Sequence, residues 1–475
     1  MKVIKNYLYN AGYQILLMLA PLITTPYVSR VLGPHESGIN SYTNSWVTVF
    51  YLIGQMGITL YGNRQVAYNR DNKYERSRTF WGIEALQLLT ISVALFAYLC
   101  AVFLFSTTFQ KYYLLQTLWI IAAGVDVSWY FMGMEDFKKT VTRNTIVKLI
   151  SIALIFTLVR TEADLWKYIL LLGVAQVGGN ITLWPYLKNS IQWVIPTKWH
   201  PFKHFYPALL LFIPTITTQI YLFVNQLMLG KLGDPTALGQ YNYADKIVKL
   251  VLAVVTASGT VMLPHVANKF ANGDVTGIRA SLYKSFDFVT SLAVPLMFGL
   301  MAISDKFAIW FLGAKYIDTG QMIFFEAPVI VFIAWSNVTG TQYLMPVNRV
   351  NEYTVSVTCG AIVNIIANAL LIIPFSGQGA AIATTISEFF VTAVQLILIR
   401  TTISRKKLFK EVWKYFLAGV VMYVVVLRLN QMMHMNIFNL AIQVLVGAVL
   451  YFVILILIKA PIIKEAKRLL NKQKE

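Results

Sequence analysis

A regular succession of long apolar stretches constrains this chain more than anything else in it. From Tyr7 to Ile458 about fourteen such stretches, most of them 18–28 residues long, follow one another with short polar joints between. A helix needs about 20 apolar residues to cross the hydrocarbon core of a bilayer. Backbone groups in lipid must be satisfied within the segment, and these runs are too long and too uniformly apolar for barrel strands. The expectation is an all-α polytopic membrane protein with spans near 7–31, 38–63, 80–105, 112–134, 142–159, 165–187, 206–230, 237–265, 285–305, 319–345, 352–374, 378–399, 414–430 and 437–458.

Composition agrees. The 475 residues are 57% hydrophobic and 13% charged, about half the charged fraction of a soluble domain. The net charge of +19 invites a nucleic-acid partner. The basic residues, however, lie in loops that flank the spans, where they set topology and meet anionic lipid, so no nucleic acid is expected. Of the 40 Lys and Arg, 30 fall on the side of the N-terminus and 8 on the other. By the positive-inside rule both termini are expected in the cytoplasm. The first stretch lacks a small-residue cleavage site and reads as a retained span. Cys100 and Cys359 lie in apolar runs with no CxxC pairing, so neither a disulfide framework nor a metal site is expected.

Two short segments repeat. Pro21–Thr25 in the first span matches Pro214–Thr218 in the seventh. Each is followed by Leu-Gly (Leu32-Gly33 and Leu232-Gly233) and then by Gly-x-x-x-Tyr (Gly38 to Tyr42 and Gly239 to Tyr243). Parallel repeats about an axis along the membrane normal build many transporters, with the substrate route between the halves. The expected domains are 1–190 (spans one to six), 191–400 (spans seven to twelve) and 401–475 (the last two spans and a basic tail).

Ionisable groups within a bilayer are costly and face a bundle interior or a wet cavity. Asp126 lies in span four; Asp245, Lys246 and Lys249 in span eight; Glu326 in span ten; Glu388 in span twelve; Arg30 closes span one. Lys246 and Lys249 share a helix face and suit a phosphate-bearing ligand, although Asp245 and Lys249 could equally pair with each other. Glu84, Lys148 and Asp287 stand near cytoplasmic span ends and are expected to snorkel. Asn44, Thr48, Tyr51 and Gln55 form a polar stripe in span two; Gln219 and Gln226 share a face in span seven. Such amides suit sugar hydroxyls or interhelical hydrogen bonds. The chain has no G-x-x-x-x-G-K-[ST] loop, H-E-x-x-H or Cys/His cluster, so neither nucleotide-driven transport nor an enzyme is expected. Energy would come from an H+ or Na+ gradient or from the membrane potential, with Asp126, Glu326 and Glu388 as candidate coupling groups.

Ser29–Gly33 followed by Gly38-x-x-x-Tyr42 resembles the first-span signature of the Wzx-type polysaccharide flippases. Asp126-Val-Ser-Trp-Tyr-Phe-Met-Gly-Met-Glu135-Asp-Phe-Lys138 resembles that family's Asp-x-x-Trp-x-x-x-Gly-x-Glu-x-Phe pattern, and Tyr243-Ala-Asp-Lys246 its span-eight segment. The family belongs to the multidrug/oligosaccharidyl-lipid/polysaccharide exporter superfamily. The resemblance implies two pseudo-symmetric six-helix lobes in a V with two further C-terminal helices, in a bacterial plasma membrane. It implies alternating access to a polyprenyl-diphosphate-linked oligosaccharide, carried to the outer leaflet for capsule, exopolysaccharide or O-antigen synthesis. The implied partners are membrane lipids, glycosyltransferases and a polysaccharide polymerase. Arg30, Asn44, Gln55, Gln219, Gln226, Lys246 and Lys249 are the candidate substrate contacts. A peptidoglycan-precursor flippase or a drug or cation antiporter shares the fold and stays open, and so does a membrane polymerase or ligase.

Overall fold

A computed structural model describes residues 2–105 and 108–463; the side chains of 2–19, 105, 137, 213–215, 217–222, 257–267 and 271 lie outside the described part. Among the described residues there is no strand. Nine helical stretches there are long and apolar enough to cross a membrane. The fold is all-α, as the apolar rhythm requires.

Contacts group the chain into two compact units, 1–230 and 231–475. The first holds α1 (Lys2–Gln55), α2 (Ile58–Tyr68), α3 (Lys73–Phe105), α4 (Gln110–Gly124), α5 (Ser128–Gly133), α6 (Phe137–Leu158), α7 (Leu165–Ile181), α8 (Trp184–Leu187) and most of α9 (Phe205–Leu232). The second holds α10 (Pro235–Ala271), α11 (Val275–Leu312), α12 (Thr319–Glu326), α13 (Val329–Ser336), α14 (Val350–Leu398), α15 (Arg405–Phe409), α16 (Val412–Met432) and α17 (Ile437–Leu457). A π-helical stretch, Asn337–Leu344, follows α13.

The helix breaks fall where the sequence permits them. α1 is two helices joined at Gly33, whose φ of 73° is left-handed; glycine takes that conformation without a Cβ penalty, and Pro34 then starts the next helix with its missing N–H. The matching Leu232-Gly233 stands between α9 and α10, and Pro235 opens α10. The two Leu-Gly pairs are therefore the same joint in each unit. The tyrosines behind them also correspond. Tyr42 meets Tyr113 on α4 edge-on at 6.4 Å. Tyr243 meets Tyr316, just before α12, at 5.3 Å.

Span four is not one helix. α4 ends at Gly124, α5 begins at Ser128, and Asp126 occupies the break. The unwound backbone is satisfied locally: the Gln87 amide donates to the carbonyls of Ala123 at 2.7 Å and Asp126 at 3.0 Å. Irregular backbone at membrane depth survives only with such internal partners. Large apolar side chains such as Phe96, Leu104, Ile373 and Leu457 are more than two-thirds exposed. A soluble surface would not leave so many uncovered, and lipid is their natural solvent.

The basic loop before α9 docks through His204. Its ring Nδ1 lies 2.8 Å from the Tyr61 hydroxyl, and burial, with Lys203 and Arg78 nearby, pulls its pKa down to about 4. The neutral ring is the form this pocket accepts.

Candidate functional site

Two polar sites occupy corresponding places in the two units. In the first, α1, α4 and α7 line an open cavity of about 190 Å³. Asn44, Thr48 and Tyr51 come from α1, Trp119 from α4, Asp126 from the break after it, and Gln176 and Asn180 from α7. The span-two stripe of helical spacing thus faces a hollow. Asp126 Oδ1 accepts the Ser128 N–H at 2.9 Å and starts α5. Asn44 donates to the Gln116 amide oxygen at 3.3 Å. Asn180 is a wall, held at both ends: it donates to the Ala122 carbonyl at 2.7 Å and accepts from Arg143 at 2.8 Å.

Glu84 corrects the sequence reading. It does not snorkel: it is 1% exposed on α3. Neither carboxylate oxygen has a hydrogen-bond partner among the described residues, and it lies within electrostatic reach of Asp126. The misreading came from counting distance to the span end, whereas α3 begins at Lys73 and carries Glu84 three turns in, facing the bundle. Asp287 is half-buried, within electrostatic reach of Tyr415 and Tyr451. Trp119, Gln176 and Asn180 were not singled out from sequence. The i, i+4 spacing of Gln176 and Asn180 was the available signal.

In the second unit, Asp245 and Lys249 on α10 pair at 2.7 Å. Asp245 is mostly buried, whereas the Lys249 side chain is 45% exposed. The Glu326 carboxyl, 1% exposed at the end of α12, hydrogen-bonds Asp245. Glu388 on α14 stands within electrostatic reach of Lys249. Lys246 is exposed, its ammonium 5.0 Å from the Tyr243 ring centre. The residues given separately by sequence, Asp245, Lys249, Glu326 and Glu388, therefore form one charged cluster. Asn44 and Asp245 hold equivalent positions, each two residues beyond the repeat tyrosine, and Thr48 and Lys249 each six beyond it. One unit carries amides and hydroxyls where the other carries charge.

Arg30, Gln55 and Gln226 are not among the residues that line the cavity. Arg30 is exposed at the end of the first half of α1. Gln55 bonds Thr59 at 3.0 Å and the Tyr51 hydroxyl, at the edge of the cavity's polar stripe. Gln226 accepts from the Ser45 hydroxyl, joining α9 to α1. The Gln219 side chain lies outside the described residues. Both cysteines are free thiols.

The span-four motif is mostly architecture. The Trp129 indole donates to Gln87 at 3.1 Å. The Gly133 carbonyl accepts from Arg70 at 3.0 Å, and Glu135 pairs with Arg70 at 3.0 Å. Asp136 pairs with Lys139 at 2.9 Å. Only Asp126 among the motif's carboxylates reaches the cavity.

Comparison with known proteins agrees with this architecture. The family model described as "Polysaccharide biosynthesis protein" matches residues 3–269, and that for the lipid II flippase MurJ matches residues 147–447. A putative O-antigen transporter of Escherichia coli K12 is 22% identical over 407 residues, covering 83% of this chain and 96% of that one. MurJ of Bacillus subtilis is 20% identical over 30% of this chain. Among solved structures, MurJ in an inward closed conformation has a TM-score of 0.73 at 15% identity, covering 94% of this chain and 98% of that one. An inward-facing multidrug MATE transporter of the MOP superfamily has a TM-score of 0.61 at 13% identity, covering 81% and 94%. With its polysaccharide-biosynthesis match spanning more than half of its length, the chain belongs to the polysaccharide biosynthesis protein family, and its helices follow the MurJ fold.

Proposed function

We propose that this protein is a flippase for a lipid-linked oligosaccharide, moving a polyprenyl-diphosphate headgroup to the outer leaflet by alternating access of its two units. The observation that carries the reading is the match to an O-antigen transporter along 96% of that protein's length. The MurJ family model and fold favour a second reading, a peptidoglycan-precursor flippase. The curated MurJ relative is matched over only 27% of its length, so the first reading is the better supported.

The physics fits the task. A bare diphosphate in hydrocarbon costs tens of kcal/mol by Born estimates. A polar path lowers that barrier while the lipid tail stays in the bilayer. An inside-negative potential favours outward movement of a headgroup of charge −2 by about 4–5 kcal/mol at 100 mV. Asp126, Glu326 and Glu388 are the carboxylates that could add ion coupling; the potential alone supplies a direction without them. Lys246 and Lys249 are the cations we assign to the diphosphate.

Reconstitution in vesicles tests the function. With a short polyprenyl-diphosphate oligosaccharide placed in one leaflet, the protein should bring its sugars within reach of a lectin in the opposite compartment. Exposure no faster than in protein-free vesicles would overturn the reading. Orientation is tested in cells. Single cysteines at Asn72 and Lys406 should be labelled only after the membrane is opened, and one at Asp318 from outside; outside labelling at Lys406 would reverse the cytoplasmic assignment of the termini.

A further inference from the structure

We propose that the cavity of the first unit is a subsite for one neutral sugar ring of the headgroup, read by Gln176 and Trp119. The proposal rests on the flippase reading and gives that substrate a contact distinct from its diphosphate.

Size comes first. A cavity of about 190 Å³ holds the liquid volume of about six waters. It is too small for a drug-sized ligand, whose pockets begin at about 300 Å³, and far too large for one bare ion. Its walls are the second argument. Six of its nine lining residues are polar, with Trp119 the one aromatic hydrocarbon face apart from Tyr51. A ring with hydroxyls on its rim and C–H groups on its face needs this mixture: an indole for the face and amides or carboxylate for the rim.

The unused hydrogen-bonding capacity narrows the ligand further. Asn44 spends a donor on Gln116, which leaves its carbonyl oxygen. Thr48 donates to the Asn44 backbone carbonyl at 2.6 Å, leaving its lone pairs. Asp126 spends Oδ1 on Ser128 and keeps Oδ2. The cavity therefore has acceptors to spare, and a ligand that fills it must be rich in O–H or N–H donors. The Gln176 amide and the Trp119 indole N–H, for which no partner occurs among the described residues, supply the complementary donors. Asp126 in the wall is a carboxylate that an anionic ligand would have to face. The Arg143 guanidinium stands behind Asn180 and is spent on it, so the carboxylate of Asp126 is the charge in the lining itself, and neutral and N-acetylated hexoses fit better than phosphate or uronic acids. The equivalent place in the second unit is held instead by the ion pair of Asp245 and Lys249.

Saturation-transfer NMR on the full chain in nanodiscs tests this, because a single ring binds in the millimolar range. The probes are methyl glycosides of glucose, galactose, N-acetylglucosamine and glucuronic acid. At least one neutral glycoside should bind and the glucuronide should not. Gln176→Ala and Trp119→Phe should each weaken binding by about tenfold, the loss of one well-placed hydrogen bond. Both positions are only partly buried, and an unchanged thermal midpoint in each variant certifies the fold. The proposal is overturned if no neutral glycoside binds, if the glucuronide binds best, or if neither substitution weakens binding. The vesicle assay separates the two claims. A parent protein that flips the lipid-linked substrate but binds no glycoside refutes the subsite alone; one that binds glycosides but flips nothing refutes the flippase reading alone.

Discussion

Replacing Lys246 and Lys249 together by alanine is expected to abolish headgroup translocation. The two ammonium groups stand three residues apart on an exposed face of α10. Each charge-assisted hydrogen bond to a phosphate is worth about 1.5–3 kcal/mol. Losing two lowers affinity for the diphosphate roughly a hundred- to ten-thousandfold. A structural cost accompanies this. Lys249 balances Asp245, which is mostly buried and hydrogen-bonded to Glu326. Breaking a fully buried pair costs about 3–5 kcal/mol; with the Lys249 side chain 45% exposed, solvent screening reduces this to about 1–2 kcal/mol. The experiment must separate the two effects. Adding Asp245→Asn to the double variant removes the stranded charge, so protein level should recover while flipping stays lost. Lys249→Arg, which keeps the charge, should retain part of the activity. If the triple variant is well folded and still flips at the parental rate, these lysines serve α10 alone and do not meet the substrate.

Gly133→Ala should be the most damaging single methyl group that the span-four motif can receive. A Cβ at this position would lie 2.6 Å from the Asn63 carbonyl oxygen and 2.7 Å from Val66 Cβ. Neither can retreat easily: Asn63 is held in α2, and Val66 is fully buried in the aromatic core with Phe80, Trp129 and Tyr130. The same glycine presents its carbonyl to Arg70, which pairs with Glu135. Forcing α5 away from α2 breaks that arrangement and opens the core. Overpacking of this kind costs about 1–3 kcal/mol, and the backbone partner places it at the upper end. The thermal midpoint in detergent and the yield of monodisperse protein should both fall. A variant as stable as the parent would show that α5 can shift, and that the glycine stands there for another reason.

Much of the architecture was legible because the bilayer simplifies the code. Hydrocarbon admits helices, and a run of about 20 apolar residues announces one. The Leu-Gly repeats marked real joints, since a left-handed residue at Gly33 and a proline start nearby have local causes that a short segment carries with it. The span-four motif was legible as a family signature but not as what it does. Its Trp, Gly and Glu bind Gln87, α2 and Arg70, partners that are distant in sequence.

What only the tertiary structure decided was the company each polar residue keeps. Glu84 read as a snorkelling carboxylate because nothing local forbade it; the fold buries it near Asp126. Asp126 read as a group inside a helix, and the fold places it in a helix break whose backbone Gln87 satisfies. Gln55 and Gln226 stood alone in the sequence, and the fold gives them Thr59, Tyr51 and Ser45 as partners. Asn44, Trp119 and Gln176 come from three helices, and no spacing along the chain relates them. The sequence alone determined that this protein lives in a membrane, where its helices run, and which of its residues are costly to bury. Because a side chain in lipid gains nothing until it finds a partner on another helix, the packing of the helices decided which of those residues balance one another and which face a cavity.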